Sequence, residues 1–278
     1  MKRNIKNKPV LITGGASGIG RLLALSLAEL GAKVIVWDLS EAALKALERE
    51  AAEKGFFIKG AVCDVTNREQ VYRMAGELQQ EMGPLALLVN NAGVVSGKTL
   101  LETPDEKINL TMQVNTMAHF WTCKAFLPGM IAANSGHLVT ISSAAGIIGV
   151  KGLADYSASK FAVFGLHEAI RMELKQSAPG VRTTIVCPFF TDTGMFKGVR
   201  TRFPLILPIL QPEYVAKQIT KAVLRGTKRL IMPRFVYSVN LLRLLPVTFM
   251  DFIAEFFGIS HSMDKFVGRS SGQNHLIL

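Results

Sequence analysis

The chain has 278 residues, 49% of them apolar, which is ample for a full core; one α/β domain of this size is ordinary. Its three cysteines, Cys63, Cys123 and Cys187, are scattered, with no CxxC pair and no His/Cys cluster, so neither a disulfide framework nor a metal site is expected and the compartment reads as reducing and intracellular. The formal net charge of +11 is concentrated between Met195 and Leu245, where ten basic residues face one acid, Glu213. No interleaved aromatic or helix-turn-helix pattern accompanies that charge, so nucleic acid is disfavoured as a partner.

In chain order, Pro9 to Thr13 is a short β-rich run, preceded by a basic start and too brief for a signal peptide. It ends in Gly14-Gly15-Ala16-Ser17-Gly18-Ile19-Gly20 and is followed by a helical pattern from Arg21 to Leu30. Strand, glycine turn, helix is the context a phosphate-binding loop needs, although the spacing is GxxxGxG and a plain glycine turn reads the same way. Lys33 to Trp37 predicts a second strand closed by Asp38, which follows Gly20 by 18 residues, near the distance at which an acid receives adenosine ribose hydroxyls. A helix-capping aspartate before Ser40 is the plainer account.

A helix over 41–53, a strand over 56–62 ending at Asp64-Val65, a helix over 68–81 and a strand over 85–89 closed by Asn90-Asn91-Ala92-Gly93 continue the alternation. Strands alternating with helices predict a parallel, doubly wound sheet, with ligand beyond the carboxyl ends of its strands. The pattern next predicts one long helix from Pro104 to about Ala133 and a strand over 137–141 ending at Ser142-Ser143. A helix over 155–176, a strand over 181–187, a helix over 213–225 and a strand over 229–232 complete a sheet of about seven strands. No linker divides the chain, so residues 1–278 are expected to form one domain.

Tyr156 and Lys160, four residues apart, share one helical face. An ammonium beside a phenol favours phenolate, so the Tyr156 pKa is expected to fall from ~10 towards neutrality. Such a tyrosine exchanges protons near working pH. The pattern alone is short and common, and an exposed tyrosine over a lysine would produce it too.

The motifs TGGASGIG (13–20), Asp64, NNAG (90–93), Asn115, Ser143 and YSASK (156–160) stand in the order and spacing of the short-chain dehydrogenase/reductase family, which the chain resembles over about residues 8–232. The resemblance implies a three-layer Rossmann-type fold and a catalytic tetrad of Asn115, Ser143, Tyr156 and Lys160, with Asn115 holding a relay water. It also implies a nicotinamide cofactor held by Gly14, Ser17, Gly18, Ile19, Gly20, Asp38, Asp64, Val65, Asn91, Ala92, Gly93, Tyr156, Lys160, Pro188 and Thr191. With Asp38 in place and neither Ser17 nor Leu39 basic, NAD is expected over NADP; Arg21 is the one basic residue that speaks for NADP.

The stretch VCPFFTDTGMFKG (186–198) is similar to the branch holding epidermal retinol dehydrogenases and lipid-droplet 17-beta-hydroxysteroid dehydrogenases. Many family members have Pro-Gly where this chain has Pro188-Phe189. Membrane-bound relatives carry an apolar N-terminal anchor, whereas here a strand starts at Pro9. The family implies a homodimer or homotetramer through the helices bearing Asn115 and Tyr156, where Phe120, Trp121, Phe161, Phe164 and Leu166 exceed what one sheet face needs.

The apolar segment 189–210 predicts a small lipophilic substrate: a retinoid, a steroid or a long-chain alcohol. In the tail, Phe249, Phe252, Ile253, Phe256 and Phe257 recur at helical spacing, with Asp251 and Glu255 opposite. Packing over the substrate cleft and contact with a membrane both fit it. No uncharged apolar run reaches the roughly 18 residues of a spanning helix, so a cytoplasmic protein, in peripheral contact with a membrane or lipid surface at most, is expected. A nucleotide-binding scaffold without turnover, and a lipid-surface protein acting through its tail, stay open as other readings.

Overall fold

The computed structural model describes residues 4–268; residues 1–3 and 269–278, parts of the basic start and of the tail, lie outside the described residues. Strands β1 (Pro9–Thr13), β2 (Lys33–Asp38), β3 (Ile58–Val62), β4 (Leu87–Asn90), β5 (Gly136–Ile141), β6 (Val181–Pro188) and β7 (Arg229–Met232) form one sheet, all parallel. Its order is β3-β2-β1-β4-β5-β6-β7, the doubly wound arrangement that reverses between β1 and β4.

Period-two alternation divides the core. Val10 and Ile12 of β1, Val34 and Val36 of β2, and Leu87 and Val89 of β4 pack with helices α1 (Gly18–Glu29), α2 (Glu41–Glu53) and α7 (Pro212–Arg225) on one face. The intervening Leu11, Ile35, Trp37 and Leu88 pack on the other, with α3 (Arg68–Met82), α5 (Ala118–Ala132) and α6 (Ala154–Ser177). Both faces of these strands are dry, which is why their sequences read as continuous apolar runs. Trp37 meets Phe126 of α5 at 5.7 Å between ring centroids, tilted by 49°. Full burial of one such side chain stabilises by about 1.5–3 kcal/mol.

Boundaries differ from the sequence reading where local chemistry intervenes. β3 starts at Ile58 because the amide of Phe56 still closes the last turn of α2 on Ala51. The single helix expected over 104–133 is three segments: α4 (Asp105–Met112), a π-helical turn (Gln113–Met117), then α5. The wide turn lets two neighbours, Asn115 and Thr116, both reach Ser159 on α6. Single π turns inside helices often mark functional positions.

The tail adds a 3-10 turn (Arg234–Tyr237), α8 (Ser238–Leu242) and α9 (Val247–Phe256). Pro246 caps α9 at its start, and Gly258, at φ +70°, turns the chain after it. Among the described residues no helix is long and apolar enough to cross a membrane.

Most aromatic residues expected at a subunit interface are used within the chain. Trp121 and Leu166 pack against the core around Phe126, Phe164 lies under Arg229, and Phe161 lies under Arg243. Phe120 is the one left exposed.

Candidate active site

The loops after β1 to β6, at the carboxyl ends of the strands, meet around one cavity of about 540 Å3. The first follows β1. Gly14 has φ +61°, and a Cβ there would stand 2.8 Å from the Cα of Ala92. A Cβ on Gly20 would strike the carbonyl oxygen of Gly14, so the turn closes only on glycine. α1 begins directly behind it. Its N-cap, Ser17, makes no side-chain cap bond and its first turn holds no acid, so its leading amides face the cavity without a partner from the cap. A helix start of this kind attracts phosphate oxygens.

At the end of β2, each carboxylate oxygen of Asp38 accepts one amide: Oδ2 from Ala16 at 3.0 Å and Oδ1 from Ser40 at 3.1 Å. The acid is thereby held at the cavity wall with further acceptor capacity. Arg21 is paired with Glu50 on α2 and does not line the cavity. After β3, Asp64 accepts the amide and hydroxyl of Thr66, and Val65 is buried beside it. After β4, Asn91 donates to the carbonyls of Thr13 and Gly14, tying the two central loops across the reversal point of the sheet.

Every residue expected to hold a nicotinamide cofactor lines this cavity. The glycine cradle, the start of α1 and Asp38 line one cavity, which fits a dinucleotide. Of the expected tetrad, Ser143, Tyr156 and Lys160 line it too, whereas Asn115 does not. Asn115 is fully buried, bonded through Oδ1 to the amide of Val94 and through Nδ2 to the Val94 carbonyl and Ser159. It braces the loop after β4.

The expected fall in the Tyr156 pKa is not what the structure produces. Burial pushes the phenol up to about 12, against an opposing hydrogen bond from Ser143. Burial also brings Lys160 down to about 8. The Lys160 ammonium donates to the carbonyl of Ile141 at 3.0 Å and lies 5.6 Å from the centroid of the tyrosine ring. Desolvation therefore outweighs the charge of the neighbour. Behind this pair, burial holds His119 at about 3 and His167 at about 4, so neither adds a competing positive charge.

The far half of the cavity is apolar. Phe189, Phe190, Met195, Phe196 and Leu207 come from the segment after β6, and Phe235, Val239, Leu242, Met250, Ile253 and Phe257 from the tail. Phe196 stands edge-on to Tyr156, 5.7 Å away at 81°, and Phe190 backs it at 5.2 Å.

Two positioning residues escape a reading of the sequence. Thr13 accepts the amides of Asn91 and Ala92 on its hydroxyl. Asp155, buried beside Tyr156, accepts from Ser96 at 2.7 Å and Thr111 at 2.8 Å, joining three segments at the start of α6. An acid in the first turn of a helix is ordinary on dipole grounds, so its sequence signal is masked.

A family model for short chain dehydrogenases matches residues 8–203. The chain is 45% identical to epidermal retinol dehydrogenase 2 of Mus musculus over 271 residues, covering 96% of this chain and 88% of the relative. It is 39% identical to retinol dehydrogenase 10 of Homo sapiens over 297 residues, covering 96% and 87%. Among solved structures, a Burkholderia phymatum short chain dehydrogenase/reductase in complex with NAD superposes with TM-score 0.78 at 27% identity, covering 87% of this chain and 95% of that one. A metagenomic short-chain oxidoreductase in complex with NADP gives TM-score 0.70 at 27% identity, covering 83% and 97%. The chain belongs to the short-chain dehydrogenase/reductase family, NAD(P)-dependent oxidoreductases that act on CH–OH groups.

Proposed function

We propose that this chain interconverts a lipophilic alcohol, of retinoid, steroid or long-chain type, with its carbonyl compound, using NAD(H) in preference to NADP(H). The observation that carries this is the apolar half-cavity facing Tyr156. Each buried CH₂ contributes ~0.8 kcal/mol, so several carbons outweigh what a polyol could recover there. The names of the relatives make retinol the first alcohol to try.

A nicotinamide cofactor, when bound, accepts or supplies the hydride. The chain's own residues handle the proton and the position. Tyr156 gives its proton to the carbonyl oxygen in reduction and takes one from the hydroxyl in oxidation. Ser143 holds the substrate oxygen by hydrogen bond while charge develops on it. Lys160, fixed on the Ile141 carbonyl, supplies a positive charge beside the phenol and reaches the cavity wall where a ribose would sit. Asn115 fixes the loop after β4, whose Gly93 lies next to Lys160.

Because burial raises the phenol to about 12, oxidation, which needs phenolate, gains as pH rises from neutrality to about 8, where Lys160 begins to lose its charge, while reduction, which needs the phenol, is insensitive to Tyr156 over that range. Tyr156→Phe should lower turnover by ~10²-fold or more and abolish that rise, with cofactor affinity retained. Initial rates against pH check both; near-full activity in the variant sinks the role given to Tyr156.

Support for NAD comes from Asp38, whose charge opposes a 2′-phosphate, and from Arg21, engaged by Glu50 and so withdrawn from that role. Comparing kcat/KM for the two cofactors decides it, and Asp38→Ala should narrow the difference. An NADP preference in the parent chain overturns the reading.

We extend the proposal to a membrane surface. α9 is apolar on two sides. Met250, Ile253, Ala254 and Phe257 line the cavity, while Phe249, Phe252 and Phe256 stay exposed, beside Leu241, Leu244, Val247 and Leu205. Arg202, Arg234 and Arg243 are exposed among them, as an anionic surface would require. Co-sedimentation with vesicles should be stronger with phosphatidylserine than without and should weaken in Leu244→Glu/Val247→Glu. Absence of binding to both vesicle types removes this part.

Self-association belongs to the proposal on family grounds, with Phe120 and Ile131 as exposed apolar residues on α5. A monomer mass in solution at micromolar concentration refutes it.

A further inference from the structure

The family match ends at residue 203, yet a later segment is built into the catalytic end. Residues 262–268 run as a strap across two loops. On one side the strap joins the segment after β6. The amides of Val267 and Gly268 donate to the carbonyl of Lys197, at 2.9 and 3.2 Å, and the amide of Arg200 donates to the carbonyl of Ser262 at 3.2 Å. Gly198, at φ +93°, lies so close to the strap that a Cβ would strike the Lys265 carbonyl. On the other side, Phe266 covers Gly97 in the loop after β4, at φ +70°, with no room for a side chain between them. The Lys151–Asp264 ion pair fastens the strap beside the start of α6.

Met263 is 7% exposed and packs in one cluster with Tyr156, Phe190 and Val199, against which Phe196 and Phe266 also lie. Phe196, edge-on to the Tyr156 ring, is carried on the stretch the strap binds at Lys197 and Arg200. Glycines at positions 97 and 198 thus gain a shared reason: both make way for the strap.

We propose that the strap braces the reaction chamber from behind its lining, and that Met263 and Phe266 are positioning residues that hold Phe196 and the loop after β4 beside Tyr156. The strap therefore acts first on the alcohol end of the cavity: it meets the loop after β4 at Gly97, beyond Asn91–Gly93, and the segment after β6 at Lys197–Arg200, beyond Pro188 and Thr191, whereas the glycine cradle and Asp38 belong to the loops after β1 and β2. This rests on the dehydrogenase reading for its kinetic readout.

The test uses the full chain with Met263→Ala and Phe266→Ala, and with retinol and decanol as probes. KM for the alcohol should rise about tenfold, with NADH affinity, read from its fluorescence on binding, within about twofold of the parent. Limited trypsin digestion gives a readout independent of activity: cleavage after Lys197 should accelerate in both variants. Should the alanine variants fail to fold, Met263→Leu and Phe266→Leu, which keep most of the apolar volume, should raise KM and cleavage in the same direction by a smaller factor. Unchanged KM and unchanged cleavage, or a parallel loss of NADH affinity, overturns the proposal. If the parent chain oxidises neither alcohol, the substrate reading fails, and the cleavage rates still decide the role of the strap.

Discussion

Burying the Lys160 ammonium beside the Tyr156 phenol is the constraint around which the catalytic end is organised. A buried charge is costly unless it is bonded, and this one has the Ile141 carbonyl at the end of β5. The same desolvation lowers the lysine and raises the tyrosine. The pair is thereby poised with the proton on the phenol, the arrangement of a general acid. The surrounding bonds keep that arrangement rigid: Asp155 fastens the start of α6, the π turn brings Asn115 and Thr116 onto Ser159, and Ser142 bonds the carbonyl of Lys160 itself.

The cavity has two halves with different origins. The nucleotide half is made by the sheet, because parallel strands deliver their loops to one edge and the reversal between β1 and β4 leaves a crevice there. Its backbone groups are fixed by Thr13 and Asn91, so little rearrangement is needed to receive a pyrophosphate. The substrate half is made by the segment after β6 and by the tail. Those segments contribute apolar side chains and few bonds to the sheet. The boundary between the two halves runs past Tyr156, where hydride and proton must be exchanged.

Legibility in the sequence tracked the range of the interactions. The apolar runs of β1, β2 and β4 and the helical spacing between them depend on neighbours a few residues away, so the elements and their order could be read directly. The glycine turn and Asp38 could be placed at one rim because a parallel sheet leaves no other arrangement. Local pattern found the helix over 104–133 but not the π turn inside it, since only the contact with Ser159 on a later helix calls for that turn. For the tail it left two readings open, because Phe249 and Phe252 share the helical spacing of Ile253 and Phe257, yet the first pair stays exposed and the second lines the cavity.

The pKa of Tyr156 marks the division most sharply. By itself the sequence determined that a phenol and an ammonium share a helical face, and elementary electrostatics then favours the phenolate. Only the tertiary structure decided the sign, because the desolvation of both groups depends on β5, the π turn and the segment after β6 closing over them. In the same way, composition and motif order determined the doubly wound sheet and the cofactor rim. The association of Phe266 with Gly97, and of Met263 with Tyr156, joins residues more than a hundred positions apart and leaves no periodic trace. Burial and long-range contact are properties of the folded chain, and they set the chemistry that spacing alone could only nominate.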